Sequence, residues 1–345
     1  MIGYLPYSPD LSSTGDRRRF LWFCKEKKIK FEIANYHKEY KIIYAVYGSN
    51  LSQLIEYKKK FPKTKIIFEI VDAHLEEKNL FIVYFRGLLR FLLGKEKTFY
   101  LNYNNLIKKM IRISEVVVCS TKYQKSYLKK LNKNIIISLD YIEDDFSKVI
   151  SKIKETTKKI DVFWEGKAWS LKHLKILNNF SRELKQKIHI HILTDLSTEV
   201  IPNLYHLKAK KISRSFKFNF TLYQWDKKLV KKISNLCQIG IIPILENDKV
   251  AQSKPENKLI LMWTLGLPVF TSNTKAYSFA MGKLNKKYIC KDKKNWEKNL
   301  NYYFEKSNNE KKKDFIEIEN ILLKKYSKDK YLEVWERIFK LCKSK

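Results

Sequence analysis

The feature that most constrains the fold is a pattern that runs through the chain twice. Short apolar runs rich in β-branched residues recur at strand length, separated by helix-length periodic stretches. The first series is Ile2–Leu5, Phe31–Ala34, Lys41–Val46, Lys65–Val71, Glu115–Cys119 and Asn134–Ser138. The second is Ile160–Trp164, Ile188–Leu193, Phe218–Tyr223, Ile239–Ile244 and Pro268–Thr271. Strands that are apolar along their whole length are buried on both faces, so each series predicts an α/β, doubly wound parallel sheet. The stretch between the series, Phe146–Lys159, is polar and lysine-rich, with Val149, Ile150 and Ile153 at helical spacing. It is the predicted boundary.

At 345 residues, 44% of them apolar, the chain has material for two cores of ordinary domain size. Residues 1–155 are expected to form one Rossmann-like domain and residues 156–325 another. The last segment, 326–345, places Tyr331, Val334, Trp335, Ile338, Phe339 and Leu341 at helical spacing and must pack on a surface. Doubly wound sheets take ligands at the carboxyl ends of their strands, so the expected site is a cleft that both sheets face.

The formal charge of +34 suits polyanions in general, including nucleotide diphosphates and an anionic membrane face. Lysine outnumbers arginine roughly seven to one, and isoleucine and asparagine are abundant, as an AT-rich genome would also produce. The charge alone therefore does not single out nucleic acid. Cys24, Cys119, Cys237, Cys290 and Cys342 are odd in number and widely spaced, with no Cys-x-x-Cys pair. They read as reduced thiols, not a zinc site or a disulfide framework. Met1 runs straight into an apolar strand with no leader pattern, so a cytoplasmic protein is expected.

Several segments carry candidate chemistry. Ser253 with Glu256 reads as a capping box opening a helix, and Gly266 with Pro268 closes it into the next strand. Unpaired N–H groups at such a helix start can hold a phosphate, or the helix can simply be well capped. Lys167, beside Gly166, and Lys258, at that helix start, are placed to meet the negative charge of a leaving diphosphate. Ser12–Arg17 follows the first strand and opens a helix, and can bring N–H groups at Gly15 and the Arg17 cation to an anion. Asp72 and His74 follow the strand Lys65–Val71, where a histidine can hydrogen-bond a sugar or move a proton; an ordinary polar loop is the alternative. There is no Asp-x-Asp triplet and no His-Glu-x-x-His, so no metal is expected, and His189 and His191 on alternate strand positions read as packing. Leu80–Gly94 is too short to span a bilayer. It sets Arg86 and Arg90 on one helical face among large apolar residues, as in an interfacial helix or a buried one covering the first sheet.

Asn257-Lys258-Leu259 through Gly266-Leu267-Pro268-Val269, preceded by Ile239–Pro243, resembles the donor-binding region of the family-four retaining glycosyltransferases of GT-B fold, especially those building bacterial surface polysaccharides. Ile160–Lys167 resembles the first strand and glycine loop of their second domain, and Phe220–Trp225 the segment flanking the nucleotide base. The resemblance implies a glycosyltransferase that is retaining and metal-independent, transferring a hexose or similar sugar from a nucleotide sugar to a glycan or lipid-linked acceptor. It implies donor contacts from Gly166, Lys167, Thr194, Trp225, Glu246, Asn257 and Lys258, with Gly15 and Arg17 opposite and Asp72 and His74 at the reacting sugar. No cofactor is implied, and a peripheral place at the inner membrane face fits a lipid-linked acceptor. One position departs from the pattern: Leu261 stands where the family's ribose-binding glutamate would be. A non-catalytic protein on the same scaffold, and a basic RNA-binding protein, are the competing readings.

Overall fold

A computed structural model of the chain describes residues 1–77, 79–142, 159–201 and 205–343. All but the last residue of the boundary helix expected over 146–159 lies outside the described residues. Two compact units are formed, one from residues 1–141 with 253–255 and 327–345, the other from 142–252 and 256–326.

The first unit holds six parallel strands: β1 (Ile2–Leu5), β2 (Phe31–Ile33), β3 (Ile42–Val46), β4 (Lys65–Glu69), β5 (Val116–Cys119) and β6 (Ile135–Ile137), in the order β2-β1-β3-β4-β5-β6. Every residue of β3 and β5 is buried, as expected of a parallel sheet covered on both faces. One face is covered by helices Leu51–Lys60 and Tyr103–Ile113, whose Leu54, Ile55, Leu106, Ile107 and Met110 join the core of the sheet. The other face carries helix Phe20–Glu26 and the closing helix Lys328–Lys343. Here Phe20 stacks on Tyr44 at 4.6 Å, and Phe23 stacks on Trp335 and on Phe339, each at 5.4 Å. The apolar stripe of the last helix is thus spent on the first sheet.

The second unit repeats the plan with β7 (Ile160–Glu165), β8 (Ile188–Thr194), β11 (Asn219–Gln224), β12 (Ile239–Ile242), β13 (Val269–Ser272) and β14 (Ile289–Cys290). Its order is β11-β8-β7-β12-β13-β14, again all parallel. An antiparallel hairpin, β9 (Ser197–Ile201) and β10 (Tyr205–Lys208), is inserted after β8. Sequence patterning misses both the hairpin, whose strands are short and polar, and β14, which is two residues long. It also misses helix Asn308–Tyr326 as an element separate from the last. That helix is fixed by the buried Asp314 to the short helix Asn285–Tyr288 and to the end of helix Lys293–Glu305: it accepts from Tyr288 Oη at 2.7 Å, from Lys287 Nζ at 2.7 Å and from Lys306 Nζ.

In each sheet the chain winds outward on one side and then returns to the other. The reversals fall between β1 and β3 and between β7 and β12, which puts a crevice at the carboxyl ends of those strands. The fold therefore marks two places, the turns after β1 and after β7, for ligand chemistry.

Candidate functional site

After β7 the chain turns through Gly166, whose N–H donates to Leu193 O at 3.0 Å. A methyl group on Gly166 would lie 2.6 Å from Lys258 Nζ and 3.1 Å from the Trp164 ring. Lys258 lies half-buried over that ring, its ammonium 4.8 Å from the centroid, a cation–π contact. Neighbouring strand ends close in on the same turn. Trp225, after β11, donates its backbone N–H to Thr194 O at 2.9 Å and its indole N–H to Glu165 at 3.3 Å. Thr194 is fully buried at the end of β8. The buried Tyr277 phenol is near Glu165 and Glu256; burial first, and then those carboxylates, push its pKa up. Gly166, Lys258, Thr194 and Trp225 are therefore brought together around the carboxyl ends of β7, β8 and β11.

Other expected donor residues are placed differently. Lys167 is exposed and pairs with Asp195 at 2.9 Å, so its charge is already partly neutralised at the rim. Glu246 lies in the loop after β12 and lines an open cavity of about 690 Å³ with Leu245, Asn247, Gln252, Ser272 and Asn273. Among the described residues no ion pair or side-chain hydrogen bond ties it to the Gly166 turn. Asn257 opens the helix, and the capping box expected from Ser253 and Glu256 is corrected here. The helix runs Asn257–Thr264 with Glu256 at its N-cap and no side-chain capping bond. Pro255 disfavours helical geometry at Lys254, which keeps Ser253 out of the helix. Its other end forms as the sequence suggests: Gly266 takes φ +75° and donates to Trp263 O, and Leu267 donates to Met262 O, a Schellman motif. Leu261 is buried and its carbonyl accepts from Leu265, so this position faces the core.

In the first unit, the turn after β1 is organised around Asp16. Its buried carboxylate accepts from Tyr7 N at 2.8 Å, from Ser8 N and Oγ at 3.1 Å each, and from Tyr4 Oη. Gly15 packs against Tyr7, where a methyl group would come within 2.7 Å of the ring, and its N–H is satisfied by Ser13 Oγ. Arg17 is exposed and donates to Ser12 O at 3.1 Å. The N–H groups that an anion would need are thus mostly used by the chain itself. Asp72 and His74 stay adjacent after β4. The His74 ring stacks on Tyr47 at 3.8 Å, and its backbone N–H donates to Asp72 O at 2.8 Å. Burial drives its pKa down to about 4; Asp72 opposes this, while Arg86, Arg90 and Lys254 add to it. At neutral pH it is a neutral imidazole, able to donate or accept but carrying no charge.

No protein-family model matches the chain, and no curated protein is similar to it. Solved structures are similar at the level of fold. WaaG, a glycosyltransferase of lipopolysaccharide biosynthesis, superposes with a TM-score of 0.61 at 12% identity, covering 99% of each chain. HepE of Anabaena in complex with UDP-glucose gives 0.59 at 10% identity, covering 100% of this chain and 99% of that one. TarM gives 0.55 at 14% identity over 86% of this chain, which matches 54% of the TarM chain. The fold is GT-B. The present chain spans about half the length of TarM and nearly the whole of WaaG and HepE.

This GT-B chain also carries a buried polar network that sequence reading does not find. Arg19, 1% exposed, donates to Asp140 at 2.7 Å and to Ser138 O at 2.9 Å, and pairs with Glu69 at 3.3 Å. Glu69, the last residue of β4, accepts from Tyr7 Oη at 2.7 Å and from Tyr44 Oη. It ties the ends of β1, β3 and β4 together below the Asp72–His74 loop. Among the described residues no three histidine, cysteine, aspartate or glutamate side chains gather as metal ligands. All five cysteines are buried and none forms a disulfide, and burial raises Cys24, Cys119 and Cys342 to about 12, far from thiolate chemistry.

Proposed function

We propose that this protein is a retaining, metal-independent glycosyltransferase that moves a sugar from a nucleotide-sugar donor to a cell-surface glycan or lipid-linked acceptor. The observation that carries the reading is the contact between the Gly166 turn and the Lys258 ammonium at the switch point of the second sheet. A turn without a side chain lets a diphosphate approach the backbone, and the adjacent ammonium meets charge that grows as the glycosidic bond breaks. The HepE structures hold UDP and UDP-glucose, and a TarM structure holds UDP, which favours a donor of that kind. In this reading Lys167, Thr194, Trp225, Glu246 and Asn257 contact the donor, as do Gly15 and Arg17, and Asp72 and His74 act at the reacting sugar. Because the lysines supply the positive charge, turnover needs no metal and survives a chelator.

A binding protein without catalysis is the second reading; it rests on Leu261, buried where the resemblance places a ribose-binding glutamate. The experiment is a thermal-shift panel of nucleotide sugars on the purified protein, followed by turnover of any that stabilise it, with and without EDTA. Stabilisation without turnover on any acceptor supports the second reading. No stabilisation by any nucleotide sugar removes both.

No helix of the described residues is long and apolar enough to cross a membrane. A peripheral place on the cytoplasmic membrane face is part of the proposal, supported by the surface of helix Leu80–Leu92. Phe81 is 68% exposed and Leu92 68%, and vesicle sedimentation tests that contact.

A further inference from the structure

Helix Leu80–Leu92 is polarised the wrong way round for a surface helix. Its buried residues are Val83 and Gly87, while Leu80, Phe81, Ile82, Phe85, Leu89 and Leu92 are exposed. Gly87 is the contact point, since a methyl group there would lie 2.7 Å from Tyr100 O. The two arginines, expected among the apolar residues, instead turn toward the protein. They are not equivalent.

Arg90 is consumed by structure. It pairs with Glu96 at 3.1 Å and donates to Gly48 O at 3.0 Å and Ser49 O at 2.7 Å, pinning the turn after β3. Arg86, one helical turn earlier, pairs with no carboxylate of the described residues. It reaches only His74 O, at 3.5 Å, and the Tyr47 phenol. Tyr47 stacks on His74, and Lys254 lies near enough to depress the protonation of that ring. A half-buried guanidinium thus stands beside the stacked Tyr47 and His74 rings, with Lys254 a nearby ammonium and Asp72 a nearby carboxylate, on the helix that carries the outward-facing apolar strip.

We infer that Arg86, with Tyr47, His74 and Lys254, forms a site for the phosphate headgroup of a lipid whose chain lies along the exposed apolar face of helix Leu80–Leu92. A guanidinium binds phosphate oxygens through paired N–H donors, and a neutral imidazole adds one donor without a second charge. The apolar strip gives the chain of the same molecule a surface to leave water. This deepens the proposed acceptor, and rests on that reading only for the lipid phosphate's being a substrate.

The test measures binding of farnesyl phosphate, below its micelle-forming concentration, beside farnesol and inorganic phosphate. Farnesyl phosphate is expected to bind about tenfold or more tighter than either. Arg86→Gln should bring it to the level of farnesol, with Arg86→Lys between. Phe81→Ser with Leu92→Ser should bring it to the level of inorganic phosphate. Lys324→Gln, a remote loss of one charge, should change nothing. Equal binding of farnesyl phosphate and farnesol overturns the inference, as does an Arg86→Gln protein that binds like wild type or a control that loses as much. Inorganic phosphate binding as tightly as farnesyl phosphate removes the lipid chain from the site. Nucleotide-sugar stabilisation is measured separately on the wild type; its absence would sink the transferase reading and leave the lipid-phosphate result standing.

Discussion

Gly166 and Lys258 are so close that a single methyl group on the glycine would lie 2.6 Å from the lysine nitrogen. The tip of a lysine can swing aside, whereas the Trp164 ring at 3.1 Å is buried and cannot. Gly166→Ala is therefore expected to keep the fold while displacing the ammonium and crowding the turn. Donor affinity should fall about tenfold, with a stability loss of about 1 kcal/mol or less. Titration of donor against melting temperature checks both; unchanged donor affinity would show that the turn does not approach the diphosphate.

The buried guanidinium of Arg19 joins the end of β4, through Glu69, to the chain just after β6, through Ser138 and Asp140. Replacing it by methionine removes the cation paired with the buried Glu69. Removal of one partner of a buried pair costs about 3–5 kcal/mol. Urea unfolding measures this directly, and a loss under about 1 kcal/mol would mean the network is not structural.

His74 gives the protein a pH dependence with a definite sign. Its pKa is depressed to about 4 in the folded state, against an ordinary value near 6.5, so the unfolded chain binds the proton more readily. This contribution is complete above pH ~6.5 and is lost as pH falls from there toward ~4. The wild type should therefore lose more stability between pH 7 and pH 5 than His74→Gln, compared by urea midpoints. Parallel losses in the two proteins would show that the ring is not held neutral by the fold.

The alternation of apolar runs was enough to read both sheets, because a strand buried on both faces must be apolar along its length. Ile2–Leu5 has the predicted bounds, and the other long strands shift by one or two residues at their ends. The hairpin after β8 and the two-residue β14 carry no such run and stay hidden. Local rules also failed where a neighbouring residue decided the geometry, as Pro255 did for the helix start. Gly166 and Lys258 were legible from glycine and helix position. Their contact with Trp164 was not, because it joins residues 94 apart in the chain. Asp16 and Arg19 look like surface charges in a run of polar residues, and only the folded sheet shows them buried.

The exposed face of helix Leu80–Leu92 predicts that polar replacements there are harmless to the fold. Phe81→Ser and Leu92→Ser remove side chains that are each 68% exposed, so stability should change by about 0.5 kcal/mol or less. Sedimentation with anionic vesicles should fall. A loss of several degrees in melting temperature would instead mean that this face is covered by the protein itself.

The central claim is that the Gly166 turn and Lys258 hold the donor diphosphate, and donor turnover by lysine variants tests it most directly. Lys258→Ala should slow turnover by something on the order of a hundredfold, because the charge it supplies grows in value as the leaving group forms. Its melting temperature should drop only modestly through loss of the contact with Trp164. Lys167→Ala should lose less, since Asp195 already shares its charge, and Lys324→Ala should match wild type. If Lys258→Ala keeps wild-type turnover, or loses it only in proportion to unfolded protein, the diphosphate is held elsewhere and the account of this site is wrong.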